Sequence, residues 1–164
     1  MTSAALWWLK ALLCFFFIAF PGTAVGELTF FLCPACGLGE LPTLLSTNVS
    51  LNGFLFHTGQ TITFQADVSS DSTTFRANIY LWAELPGDGT VLSLVRSGDH
   101  IMKVVGPARV PYLENVLLTQ MTVPFVYPFN GNEPVGTYIT HASITLPGSN
   151  QILVDSVRQF QFSP

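Results

Sequence analysis

Thr61-Ile62-Thr63-Phe64-Gln65-Ala66-Asp67-Val68 alternates without exception, with Ile62, Phe64, Ala66 and Val68 on one side and Thr61, Thr63, Gln65 and Asp67 on the other. A period of two marks a half-buried strand, because successive side chains point to opposite faces of a pleated sheet. The next run repeats the pattern, with Phe75, Ala77, Ile79, Leu81, Ala83 and Leu85 opposed to Arg76, Asn78, Tyr80, Trp82 and Glu84. Pro86-Gly87-Asp88-Gly89 follows as a hairpin turn, since Asp-Gly readily supplies the positive φ such turns need, and Thr90 to Val95 reads as the returning strand.

The same alternation extends downstream. Met121, Val123 and Phe125 form the inward set of a strand over 116–127, and Tyr138, Thr140, Ala142, Ile144 and Leu146 that of the next. Pro147-Gly148-Ser149-Asn150 is a turn before a last strand over 151–162, whose alternation slips near Asp155 and Ser156, where a bulge is expected. The stretch 97–115 is weakly patterned, with one short strand expected over Ile101 to Val104. Seven or eight strands without helical spacing predict an all-β domain over 47–164, built as two packed antiparallel sheets.

Upstream of the domain the chain changes character. Lys10 precedes the apolar run Ala11 to Phe20, Pro21-Gly22 ends it, and Thr23-Ala24-Val25-Gly26 places small residues before Glu27. That order of positive, apolar and small predicts a cleavable secretory signal helix over 1–26. The run is short of the ~20 residues that span a bilayer, and extending it back to Ala4 buries Lys10, so a retained anchor is the weaker alternative. Contact with a membrane is then transient, through the signal alone. Residues 27–46 form an arm with the apolar stretch Leu28 to Leu32 and the motif Cys33-Pro34-Ala35-Cys36-Gly37.

Composition supports export. Of 164 residues only 10% are charged, against roughly 25% in ordinary domains, with mean hydropathy +0.46 and formal charge -4. Six Lys and Arg scattered over the chain make no electrostatic footprint for nucleic acid. Cleavage at 26 removes Lys10 alone from the charged set, leaving five basic and ten acidic residues among 138. The hydropathy therefore belongs partly to the signal, and low charge to the working domain.

Three elements carry a resemblance. Ser50-Leu51-Asn52 with Phe56-His57-Thr58-Gly59-Gln60-Thr61, then Ile79-Tyr80-Leu81 with Leu85-Pro86-Gly87-Asp88-Gly89-Thr90, then Pro134-Val135-Gly136-Thr137-Tyr138, resemble the bacterial immunoglobulin-like (fibronectin-III-like) β-sandwich domains of secreted or surface proteins. The last element resembles their penultimate strand, with Tyr138 in place of the tyrosine corner. The resemblance covers about 48–163 and implies an adhesion, scaffolding or attachment module with no catalytic residues to carry over. The Cys and Trp pattern of antibody domains is missing, so no inter-sheet disulfide is implied.

Candidate chemistry is sparse. Cys33 and Cys36 have the spacing of a redox pair and resemble the active loop of thioredoxin-like enzymes, but an all-β domain follows. They also supply two of the four ligands of a zinc knuckle, while Gly37 stands where covalent haem needs His. In an oxidising compartment a plain disulfide closing a small loop is the default. Lipidation is disfavoured by the residues around each cysteine. His57, His100 and His141 are far apart and read as surface residues, so no metal site and no cofactor is assigned. A calcium site between loops lacks the ordered acids of an EF-hand, no Gly-x-Ser-x-Gly elbow occurs, and the glycosylation sequon Asn48-Val49-Ser50 reads as chance.

Tyr80 and Trp82, flanked by Arg76 and Glu84, share the polar face of their strand, and exposed aromatics beside charges suit recognition. The competing expectation is that the arm, or the stretch 97–115, covers them. The sequence thus predicts an exported, non-catalytic binding, adhesion or structural module, secreted, periplasmic or at the cell surface, with a protein or surface glycan as partner. The alternatives are a periplasmic thiol-redox or metal-binding protein using Cys33 and Cys36, and a homopolymer subunit joined by strand addition of Glu27 to Leu32.

Overall fold

The computed structural model describes residues 42–87 and 89–164. Residues 1–26, expected to be a signal, most of the expected arm including Cys33 and Cys36, and Asp88 lie outside the described residues. The described chain is all-β: ten strands and no helix.

The smaller sheet has the order β1 (Leu45–Leu51), β3 (Thr61–Ser70), β8 (Gln120–Pro128). The larger has the order β2 (Leu55–Phe56), β10 (Ile152–Phe162), β9 (Gly136–Thr145), β4 (Arg76–Glu84), β5 (Val91–Ser97), β6 (His100–Gly106). It curls into a half-barrel. All strand pairs are antiparallel except β2 with β10. The alternation of 61–68 becomes the exposure pattern of β3, with Ile62, Phe64, Ala66 and Val68 all buried. Phe64, Ala66 and Val68, with Val49 and Val123, meet Ala77, Ile79, Leu81, Leu94, Ala142 and Ile144 of the larger sheet in one apolar cluster, while Ile62 packs in a second one. That second cluster, otherwise the aromatics Phe56, Phe129, Tyr138, Phe160 and Phe162, fills one end.

The hairpin forms as the sequence predicts, with Leu85 N–H donating to Thr90 O at 2.9 Å and Glu84 opposite Val91. Three details depart from expectation. The strand expected over 116–127 is two strands in different sheets. β7 (Leu113–Leu117) pairs with β4, and the chain then crosses at buried Leu118 to β8. Alternation runs through the crossing because both strands bury one face, so the pattern carries no mark of it. The short strand near 101–104 is longer, as β6. The bulge lies between Ile152 and Val154, not at Asp155 and Ser156. Those two are in regular register and break the polarity pattern because each makes a bond. Asp155 binds His141 and Ser143, while Ser156 Oγ accepts the Val49 N–H at 3.0 Å.

That last bond makes the two flanks of the molecule unequal. On the β1/β10 side the sheets are tied by Val49 to Ser156, and by the crossing of the chain from β1 to β2, whose neighbour Phe54 accepts the Gln161 N–H. On the other side the free edges of β8 and β6 face each other without a backbone tie among the described residues. The inner faces are apolar up to Lys103 and Tyr127 at the two edges, so the open flank is a largely apolar cleft.

Candidate functional site

The recognition face expected on β4 is only partly a surface. Arg76 is exposed and donates to Asn115 O at 2.6 Å, and Glu84 and Trp82 are half-buried. Tyr80 is buried. The weakly patterned stretch after β6 returns across this face, placing the Arg109 guanidinium 5.1 Å from the Tyr80 ring centroid and the Val110 N–H on Ser93 Oγ at 2.9 Å. Tyr112 N–H then donates to Ile79 O, filling the gap along β4 between β5 and β7. Of the two expectations for this face, cover by the stretch 97–115 describes Tyr80, which is buried, while Trp82 is half-buried.

His141, expected on the surface, is buried and stacks on Trp82 with ring centroids 3.9 Å apart and planes 4° from parallel. It is drawn in by the adjacent strand, where Trp82 and His141 are directly opposed. Its Nδ1 lies 3.0 Å from Asp155 Oδ2, and Ser143 Oγ donates to the other oxygen of that carboxylate at 2.7 Å. Ser and His thus converge on one Asp and not on each other, so the hydroxyl is not paired with a base as a nucleophile requires. His141 Nε2 is 3.7 Å from Glu84 Oε1, and it and Trp82 Nε1 are buried without a hydrogen-bond partner among the described residues. His57 and His100 are exposed. No group of three or more His, Cys, Asp or Glu is placed to hold a metal among the described residues.

The open flank supplies a better-formed site. A cavity of about 340 Å³ lies between the sheets, lined by Phe64, Phe125, Leu92, Leu94, Tyr138 and Phe160, with Val105 and Lys103 at the β6 edge. Register places these side chains inward. Val105 pairs with Leu92 and Lys103 with Leu94, while Phe125 pairs with Phe64. Lys103 Nζ sits 4.2 Å from the Tyr127 ring centroid, so one edge strand reaches across to the other sheet.

Tyr127 Oη in turn donates to Glu133 Oε1 at 2.6 Å, and that carboxylate also accepts the N–H of Asn130 and Gly131. Burial, the Glu133 hydrogen bond and the Glu133 charge push the Tyr127 hydroxyl up to about 12. Burial pulls the Glu133 carboxyl upward, but the bonds from Tyr127 and the backbone outweigh it and hold the group below its ordinary value. Tyr138, raised to about 12 by burial and the nearby Glu133 charge, donates to Pro134 O at 2.7 Å. At the mouth Tyr127, Glu133 and Tyr138 have their hydrogen bonds made, Lys103 has a ring face alone, and the interior is apolar and aromatic. Such a space suits holding an apolar group.

Lys103, Tyr127 and Glu133 are the site residues that sequence reasoning missed. Continuing the set Met121, Val123, Phe125 by two positions reaches Tyr127, so its inward direction was available from alternation. Lys103 gave no such signal, because its strand is largely exposed.

No family model and no curated protein matches the chain. Among solved structures it is similar to the alkylpurine DNA glycosylase AlkC of Pseudomonas fluorescens, at 9% identity and TM-score 0.42 over 73% of this chain and 30% of that one. Sporulation control protein Spo0M of Bacillus subtilis aligns at 11% identity and TM-score 0.39, over 73% and 49% of the two chains. A β-glucosidase of Listeria innocua aligns at 10% and 0.38, over 73% and 16%. The chain spans less than half of each of these structures.

Proposed function

We propose that this chain is an exported, non-catalytic binding module, an immunoglobulin-like antiparallel β-sandwich behind a cleavable signal helix, which takes an apolar group of its partner into the cleft between its sheets. The fold reading is supported by the strand orders β1-β3-β8 and β10-β9-β4-β5, and by the Tyr138 bond to a carbonyl four residues upstream in the penultimate strand. The order Lys10, apolar run, small residues supports export to a secreted, periplasmic or surface location.

The observation that carries the binding role is the apolar cleft left by the open β8/β6 flank. Its polar groups are largely spent on one another, which disfavours a glycan, whose hydroxyls each need a partner, and favours an apolar side chain or small apolar body. Strand addition by a neighbour's arm is weaker here. Lys103 points inward from the β6 edge, and Pro124 and Pro128 interrupt the β8 edge, both devices that discourage edge pairing.

A neutral environment-sensitive dye tests the reading. The full chain should enhance its emission, Val105→Glu at the cleft mouth should abolish the enhancement, and Arg76→Ala on the opposite face should not. Enhancement that survives Val105→Glu in a folded protein removes the cleft as the site.

A further inference from the structure

Resting on that reading of the cleft, we propose that its ligand is an amphipathic carboxylate, a small molecule whose apolar body lies between the sheets and whose carboxylate meets the Lys103 ammonium. The volume of about 340 Å³ sets the size of the apolar body. An engineered cavity of about 150 Å³ stays dry and takes one benzene ring. This one therefore accommodates about twice that, or a chain of roughly ten carbons.

The sign of the head group follows from what the mouth leaves unused. Tyr127 and Tyr138 donate to Glu133 and to Pro134 O, and the Glu133 charge is met by Tyr127 Oη and two backbone N–H groups. Lys103 differs. Among the described residues no carboxylate forms an ion pair with the Lys103 ammonium, which rests on the face of Tyr127. A ring face holds an exposed ammonium weakly, and charge-assisted bonds to a carboxylate are stronger. A carboxylate arriving at the end of a bound chain therefore improves on the contact it displaces. An inward lysine on an edge strand also deters strand addition. That role alone would confer no preference for the charge of a ligand.

Calorimetric titration of the full chain with decanoate, decanol and decyltrimethylammonium, each below its micelle-forming concentration, separates these roles. Decanoate should bind about ten-fold tighter than decanol, and the cation weakest. Lys103→Met should erase the advantage of decanoate over decanol, Lys103→Arg should keep it, and Val105→Glu should weaken both ligands, with denaturation midpoints confirming that each variant folds. Equal affinity for decanoate and decanol in the unaltered protein would overturn the carboxylate assignment and leave the cleft reading standing. Binding of neither overturns both. Binding that appears only after proteolytic removal of the residues before 42 would identify the chain's own arm as occupant, and overturns the proposal as well.

Discussion

Tyr127→Phe removes one hydroxyl from the cleft mouth and little else. The ring remains under Lys103, aligned with Phe125 at 6.5 Å and edge-on to Phe129 at 5.5 Å. What disappears is the 2.6 Å bond from Tyr127 Oη to Glu133. A hydrogen bond to a charged acceptor is worth ~1.5–3 kcal/mol. Glu133 is partly solvated and keeps the N–H groups of Asn130 and Gly131, so water and these donors offset part of the loss. About 1 kcal/mol is the expected coupling in a double-mutant cycle of Tyr127→Phe with Glu133→Ala, in which the loop's separate losses cancel.

Denaturant midpoints at neutral pH, with unchanged slopes, give the four stabilities. The carboxyl of Glu133 is held below its ordinary value of 4.5, so the charge-dependent part of the coupling is present above that pH and lost as pH falls through the depressed value. A coupling indistinguishable from zero at neutral pH, or one of undiminished size in acid, would refute the clasp between Tyr127 and Glu133.

Tyr127 and Tyr138 should lose their phenolic protons only near 12, read as phenolate absorbance. Because both lie above the ordinary 10.0, the stability they contribute is intact below that pH and declines as pH rises through about 12. Gly136 has φ of 139°, and a Cβ there would lie 2.9 Å from Pro86 Cβ, so Gly136→Ala should destabilise by more than ~1 kcal/mol in urea melts. Leu81→Ala at the centre of the core should cost ~2–5 kcal/mol in the same assay, Leu81 being fully buried. His141→Ala removes the Trp82 stack and the Asp155 bond, and should cost ~2 kcal/mol with a change in indole emission; a neutral effect on both would dismiss the stack.

The strands around 61–68 and 75–85 were legible because one buried face writes a period of two into the sequence. Tyr80 shows the limit of that signal. Alternation places it opposite Ile79 and Leu81, yet cannot say whether the opposite face is covered, and the covering residue Arg109 lies in the least patterned stretch. His141 misled for the same reason: β4 and β9 are central strands with both faces occupied, so Asn78, Ser143 and Thr145 are buried although polar. The cleft was illegible for a topological reason. Lys103 and Tyr127 are far apart in sequence, and meet only because β6 and β8 end up as facing edges of different sheets. The crossing at Leu118 that puts β8 there leaves no break in the alternation.

The central claim is that binding occurs in the cleft between the sheets, and methyl chemical-shift mapping of the full chain during decanol titration tests it most directly. The account predicts saturable shifts centred on Leu92, Leu94 and Val105, with ligand contacts to the Phe125 ring. Shifts centred on Leu113 and Val116 of β7, at the opposite end of β4, with Leu92 and Val105 unmoved, would contradict it.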